Sequence, residues 1–419
     1  MSENSTEPLE ALAHIDPEAL STSTSARFAF HYIDISAAAE GRLSIPRGTI
    51  EFAEAPSRAR RIVRNGDVII STVRPNLKAF AYCSLDDAPH VASTGFAVLR
   101  AREGVDPRFL LYALLSDDVS RQIDSHAVGS NYPAINSSDV RRLILPRLSA
   151  EAQRDVASVL GSIDTTITQT EALIAKYQHI KAGLMHDLFT RGVLPNGQLR
   201  PPREQAPGLY RETVVGWIPV DWTLEQLDQV ADVIDPNPSH RNPIYHPEGF
   251  PFISTVEFID NDKVETNTPR RVIEDIVAEQ EARCRFSEHS IGFSRKGTIG
   301  EIRFLPGALR FALLDSLCVI NARRVSPVFL FHSLRSEAVI RQSKNLTMGQ
   351  ALPQVSIGRV RELQIPTPPE VEQSAIGERM TVLMNAIERQ SASLAKLQQQ
   401  KLGLMQDLLT GKVTVAAKD

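Results

Sequence analysis

The sequence predicts a mixed α/β protein: two similar α+β lobes separated by two long antiparallel coiled-coil helices, the whole related by an internal pseudo-twofold repeat. Three observations predict it. The chain matches itself at an offset of 220 residues, an apolar seam of helical period follows each matched lobe, and a Pro/Gly-rich stretch parts the copies.

The self-match is ungapped over long stretches. Gly129, Pro133, Val140, Arg141, Leu143 and Pro146 fall on Gly349, Pro353, Val360, Arg361, Leu363 and Pro366. The same shift carries Leu114, Ser116, Val119, Arg121 and Gln122 onto Leu334, Ser336, Val339, Arg341 and Gln342. It also carries Lys181, Gly183, Leu184, Met185, Asp187, Leu188 and Thr190 onto Lys401, Gly403, Leu404, Met405, Asp407, Leu408 and Thr410. Chance does not supply so many coincidences at one offset, so each copy is one structural unit, a globular part followed by a helix.

The seams place both helices. Val156, Leu160, Ile163, Ile167, Ile174, Tyr177, Leu184 and Leu188 recur in steps of three, four and seven, as do Ile376, Met380, Leu383, Ile387, Leu394, Leu397, Leu404 and Leu408. Thr367-Pro-Pro-Glu370 has the form of a capping box, and Gly192 and Gly411 stand where the helices should stop. Each helix then runs about forty residues, roughly 60 Å at 1.5 Å per residue. Neither buries its stripe alone, so each pairs with the other or, as the alternative, with a second chain. Gly183 and Gly403 inside the seams predict close helix approach or a bend. Pro195, Gly197, Pro201, Pro202, Pro207 and Gly208 read as an exposed linker. β-Branched runs at 67–72 and 310–320 and helical stretches at 107–123 and 327–343 give each lobe its mixed character. The resulting division is 1–148, first lobe; 149–192, central helix; 193–216, linker; 217–368, second lobe; 369–412, C-terminal helix; 413–419, tail.

Composition narrows the class. With 419 residues and 42% apolar content, each lobe has material for a core. The first twenty residues lack the basic start and apolar run of a signal peptide, and no eighteen apolar residues stand together, so a cytoplasmic location is expected. Cys83, Cys284 and Cys318 are widely spaced, away from histidines, and read as buried thiols rather than metal ligands. A net charge of −4 speaks against a polyanion partner until its distribution is considered. From Arg27 to Lys78 nine basic residues face five acids, and from Arg283 to Arg310 six face two, a local excess of four in each case. Two basic segments on an acidic chain fit two DNA-facing surfaces, the alternative being solvated mixed-charge faces.

With these residues in view, the chain resembles the specificity subunits of Type I restriction-modification systems over nearly its whole length. The resemblance rests on the helix endings Lys181-Ala-Gly-Leu-Met-His-Asp-Leu-Phe-Thr and Lys401-Leu-Gly-Leu-Met-Gln-Asp-Leu-Leu-Thr-Gly, on Gly66-Asp-Val-Ile-Ile-Ser-Thr-Val-Arg-Pro-Asn-Leu-Lys and Ser93-Thr-Gly-Phe-Ala-Val-Leu-Arg, and on Gly216-Trp-Ile-Pro-Val-Asp-Trp. It implies a target-recognition domain in each half and paired helices as spacer. Its partners would be double-stranded DNA, two modification (methyltransferase) subunits and a restriction or translocase subunit. It also implies a non-catalytic chain without cofactors of its own, S-adenosylmethionine and ATP with Mg²⁺ belonging to the partner subunits. The second half departs from the pattern at Ser290-Ile-Gly-Phe-Ser-Arg-Lys-Gly-Thr-Ile-Gly, where the offset slips by two or three residues, implying unlike half-sites.

Base edges are read by arginine, asparagine and glutamine, while lysine, serine and amide groups hold phosphates. The candidate DNA-binding residues of the first half are therefore Ser71, Thr72, Arg74, Asn76 and Lys78, around a proline that interrupts a strand. Those of the second half are Ser294, Arg295, Lys296 and Thr298, after the strand at 291–293. The matched loops Gly129-Ser-Asn-Tyr-Pro and Gly349-Gln-Ala-Leu-Pro add Ser130, Asn131, Tyr132 and Gln350. Ordinary polar turn residues are the alternative for each. At 6% aromatic content, stacking on single strands is disfavoured. Asn242-Pro-Ile-Tyr looks like the base-holding motif of amino-methyltransferases, but no glycine-rich loop in a βα context accompanies it. The run at 235–251 reads instead as a surface loop. A coiled-coil scaffold that never touches DNA is the remaining rival; it explains the helices and leaves the basic segments without a role.

Overall fold

The computed structural model describes residues 5–127, 133–238, 243–259, 262–346 and 353–413. The chain divides into two units, one of residues 1–171 with 393–419 and one of residues 172–392.

The first unit is built on a four-stranded antiparallel sheet in the order Ala13–Ile15, Phe96–Ala101, Val68–Ser71, Phe80–Tyr82. A second, mixed sheet carries Ala29–Ile33 parallel to His90–Ser93, flanked by Ile50–Glu51 and Ala59–Val63. In Val68–Ser71 and Phe96–Leu99 every residue is buried, which is the apolar run of strands covered on both faces. The helix Pro107–Leu115 is apolar all round for the same reason: it lies between this sheet and the start of the central helix, and Phe109 to Leu115 are all buried. Each fully buried Leu or Phe contributes about 1.5–3 kcal/mol.

The second unit has its own four-stranded antiparallel sheet in the matching order Ala231–Ile234, Leu317–Ala322, Ile291–Ser294, Ile302–Phe304. Beside it Phe250–Ile253 runs parallel to Ala312–Leu313 and antiparallel to Arg271–Val272. The helical stretches expected at 107–123 and 327–343 are each two helices, Pro107–Leu115 with Asp117–His126 and Pro327–Ser333 with Glu337–Asn345. Ser116, extended in backbone and bonded to the Val119 amide through its hydroxyl, interrupts the first as an N-cap.

The two long helices run Ala150–Thr190 and Glu370–Leu409, with Gly192 and Gly411 left-handed just beyond their ends. In the first unit Met405, Leu408 and Leu409 join Val156 and Leu160 in one core while Lys401 reaches Asp164, the opposed order of an antiparallel pair. In the second unit Leu188 packs with Ile376 and Met380.

Several local expectations change. Thr367 ends the strand Gln364–Thr367 and donates its hydroxyl to Ile365 O, so it does not cap the helix. A side chain added at Gly183 or Gly403 would meet nothing within 4 Å, so neither glycine marks close approach. The linker is exposed at Pro195, Gly197, Pro201, Pro207 and Gly208 but fastened at Arg200, which is buried on Glu372 and also pairs with Asp221 at 2.6 Å, and Trp222 Nε1 donates to Glu372 Oε2 at 3.1 Å. Gly192 sits against this cluster, where a Cβ would lie 2.1 Å from the Glu372 carboxylate. All three thiols are buried and free, and burial pushes Cys284 and Cys318 up to about 12.

Candidate nucleic-acid interface

In each unit the turn after the second core strand meets the segment that follows the loop matched across the repeat. In the first unit the hairpin pairs Ile70 with Phe80, and residues 72–79 form the turn. Pro75–Leu77 is a single 3₁₀ turn between Arg74 and Lys78, both at φ 49°. Two non-glycine residues in the left-handed region store about 1–2 kcal/mol each and must be held from outside. Arg74 N donates to Pro133 O at 2.7 Å, Val73 bridges Ala134, Ile135 N donates to Thr72 O, and Lys78 Nζ donates to Leu115 O at 3.2 Å. Arg74 and Asn76 are thereby exposed at the tip.

The second unit repeats the backbone frame with one residue fewer in the turn. Phe293 pairs with Ile302, Lys296 bridges Gln354, Gly297 N donates to Pro353 O at 3.1 Å and Val355 N donates to Arg295 O. Structurally, then, Thr72 corresponds to Arg295, Val73 to Lys296 and Arg74 to Gly297, whose φ is 75°.

The sequence reading offered Arg74 and Arg295 alike as DNA contacts, and for Arg295 the structure corrects it. Arg295 is 3% exposed and its guanidinium pairs with Asp235 Oδ2 at 3.1 Å, so it faces the interior of the turn and not a groove. Ser71 and Ser294 are fully buried and equally inaccessible; the Ser294 hydroxyl donates to Lys296 O at 3.3 Å. Thr72 is buried and its hydroxyl donates to Gly95 O at 3.0 Å. Lys78 is spent on the helix carbonyl and on Asp117 at 3.9 Å, and Lys296 pairs with Asp315. Arg74, Asn76 and Thr298 are the exposed candidates among the described residues. Ser130, Asn131, Tyr132 and Gln350 lie outside those residues, as does Asn242.

The two basic segments also differ. In the second, Arg283 pairs with Glu279, Arg310 with Glu274 and Glu281, and Arg303 donates to Ile259 O, so its formal excess is largely consumed by neighbours. In the first, Arg61 pairs with Asp16 and Arg64 with Glu18, while Arg27, Arg47 and Arg58 are exposed. Residues the sequence did not single out anchor both frames. Asp16 accepts from Val98 N and Ser137 Oγ, and Asp235, one residue past the register counterpart of Asp16, takes Arg295. No spacing signal marks either. Ile244 and Tyr245, dismissed with their loop, are exposed apolar residues within it. Among the described residues there is no group of His, Cys, Asp and Glu fit to hold a metal, and no helix is long and apolar enough to cross a membrane.

Comparison with known proteins adds to this. Residues 219–399 match the family described as Type I restriction modification DNA specificity domain. The chain is similar to the putative type I restriction enzyme MjaX specificity subunit of Methanocaldococcus jannaschii, 23% identical over 381 residues, 88% of this chain and 83% of that protein. It is similar to the type I restriction enzyme EcoDI specificity subunit of Escherichia coli, 24% identical over 334 residues, 73% and 70% of the two chains. Among solved structures, the Type-I restriction-modification system S subunit from M. genitalium superposes with TM-score 0.56 at 14% identity, over 97% of this chain and 96% of that one. A chain solved for complex assembly and conformational transition of the type I R-M system superposes with TM-score 0.57 at 22% identity, over 98% of each. The fold is thus the mixed α/β class these structures share. The chain is similar over most of its length to specificity subunits of type I restriction-modification systems, and the family match falls on residues 219–399.

Proposed function

We propose that the chain reads a bipartite, asymmetric sequence in double-stranded DNA and directs partner adenine-methyltransferase subunits to it. The observation that carries the reading is the junction in each unit of two chain segments, 72–79 with 133–135 and 295–301 with 353–355, at one edge of an antiparallel sheet. Such a junction offers an exposed tip of fixed backbone and variable side chain, which is what base reading in a groove requires. In the first unit, the left-handed Arg74 and exposed Asn76 supply base-edge donors, with Arg27, Arg47 and Arg58 available for phosphates. The second unit presents Thr298 and a glycine instead, so its half-site differs.

The duplicated frame and the paired helices act as a coiled-coil spacer between half-sites. Two modification subunits supply S-adenosylmethionine and the methyl transfer, a restriction or translocase subunit supplies ATP and Mg²⁺, and the complex works in the cytoplasm. Mapping methylated adenines in random DNA, exposed to this chain with its modification partner, tests the whole reading. Two short unlike elements separated by an unread gap are expected; one contiguous element would reject it. A scaffold without DNA affinity is separated by binding to mixed duplex at several salt concentrations, where this chain should lose affinity steeply as salt rises.

A further inference from the structure

The repeat makes each unit a reference for the other at a second place, the cleft where Pro107–Leu115 or its counterpart Pro327–Ser333 meets a long helix. The setting is equivalent in both. Gln153 Oε1 accepts from Asp106 N at 2.9 Å and Gln373 Oε1 accepts from Ser326 N at 2.9 Å, so Pro107–Leu115 and Pro327–Ser333 are clamped alike. In the first unit the corresponding cleft, about 370 Å³, carries a carboxylate of its own between two donors. Asp164 accepts from Tyr112 Oη at 2.8 Å and pairs with Lys401 Nζ at 2.6 Å.

The 220-residue shift turns Tyr112, Asp164 and Lys401 into His332, Met384 and Lys181. Both donor positions survive and the carboxylate between them is gone. His332 is 4% exposed, and its Nδ1 has no hydrogen-bond partner among the described residues. Lys181 Nζ stands 3.9 Å from Asp262, whose carboxylate is already taken bidentately by Arg335 at 2.6 Å and 2.6 Å. The other acids of the cleft are also engaged, Glu388 by Lys263 at 2.9 Å and Glu288 by His289 at 3.5 Å. The opening, about 460 Å³, is walled by Phe304 and Phe331, stacked with centroids 4.1 Å apart. A volume of that order suits a small organic molecule.

We infer that this cleft of the second unit is a binding site for a small carboxylate with an apolar or aromatic body. Its carboxylate takes the place that Asp164 fills in the first unit, accepting from Lys181 Nζ and His332 Nδ1, with the body against Phe304 and Phe331. The inference is independent of DNA recognition, since no residue of the 295–301 turn lines the cleft.

The test is calorimetric titration of the full chain with sodium benzoate and, separately, with benzamide, its neutral isostere. Benzoate should bind at least about 10-fold more tightly than benzamide, as expected for a charge-assisted pair. Lys181→Gln should abolish the difference. Met384→Asp should abolish benzoate binding by restoring the internal carboxylate, and this variant leaves both donors in place should Lys181→Gln fold poorly. Absent benzoate binding, equal binding of benzamide, or benzoate affinity unchanged in Met384→Asp would each overturn the inference.

Discussion

The turns at 72–79 and 295–301 share a backbone frame and use it in opposite ways. In the first, strain is held at two left-handed non-glycine residues and the polar side chains of Arg74 and Asn76 stand outside. In the second, glycines 297 and 300 relieve the strain and the arginine is turned inward onto Asp235. A guanidinium two residues out of register moves from surface to core. The contrast teaches that residue type at a repeat-matched position does not assign a role; the hydrogen-bond register does.

The largest expected effect follows from that burial. Arg295→Ala strands Asp235 at the base of the 235–249 loop, and removing one partner of a buried pair costs about 3 kcal/mol. Both tryptophans, Trp217 and the buried Trp222, lie in the second unit, so urea unfolding followed by tryptophan fluorescence reports this loss. A shift equivalent to less than about 0.5 kcal/mol, the range of an ordinary surface change, would return Arg295 to the surface role read from the sequence.

The next effect separates the two clefts. Burial pushes the His332 imidazole from 6.5 down to about 3, with Arg335 and Lys181 adding to it and Asp262 opposing. Between those values the unfolded chain binds a proton that the folded chain refuses, so stability is complete above pH 6.5 and falls as pH drops through the window. At pH 5 the loss from this group is about 2 kcal/mol. His332→Gln should remove that part of the pH dependence, and an unchanged slope would show that the imidazole titrates freely. The first unit carries Tyr112 at this position, where burial and then Asp164 raise the phenol, and contributes no such slope near pH 5.

Much of this frame was legible from residues alone, and the reasons are physical. Long helices announce themselves because an apolar seam must recur wherever a partner covers it, as Val156, Leu160, Ile376 and Met380 do. The paired clamps Gln122 on Ile144 and Gln342 on Gln364 lie at one offset and were visible as identities, though not as hydrogen bonds. The turn was visible too, through Pro75 and Gly297. Sequence showed a slip of two or three residues inside it, but not which residues it sets opposite one another. The slip places Arg295 opposite Thr72, and Asp235 arrives from sixty residues upstream to pair with it. Nor could spacing show that Lys78 and Lys296 are occupied by Asp117 and Asp315, because ion pairs between distant strands and helices leave no periodic trace.

A smaller effect tests the first unit's cleft. Asp164→Asn weakens its bonds to Tyr112 and Lys401, and because the pair is part-exposed the loss should be about 1 kcal/mol. It should be read by hydrogen exchange of the amide groups in Pro107–Leu115, since the first unit has no tryptophan. Exchange as slow as in the parent chain would mean that packing alone fixes this helix.

The smallest change in stability is the sharpest on the comparison itself. Arg74→Gly gives the first turn the residue that the second has at the same point, at a φ that glycine adopts without strain. Relief of left-handed strain and the added freedom of the unfolded glycine nearly offset, so the net change should stay under about 1 kcal/mol in the stabilising direction. The guanidinium, however, is lost from the exposed tip. On the proposed function, discrimination at one base pair of the first half-site should fall by about 1–3 kcal/mol while the second half-site keeps its preference. Uniform weakening on every DNA sequence would make Arg74 a phosphate contact, and undiminished selectivity would remove the turn from the interface altogether.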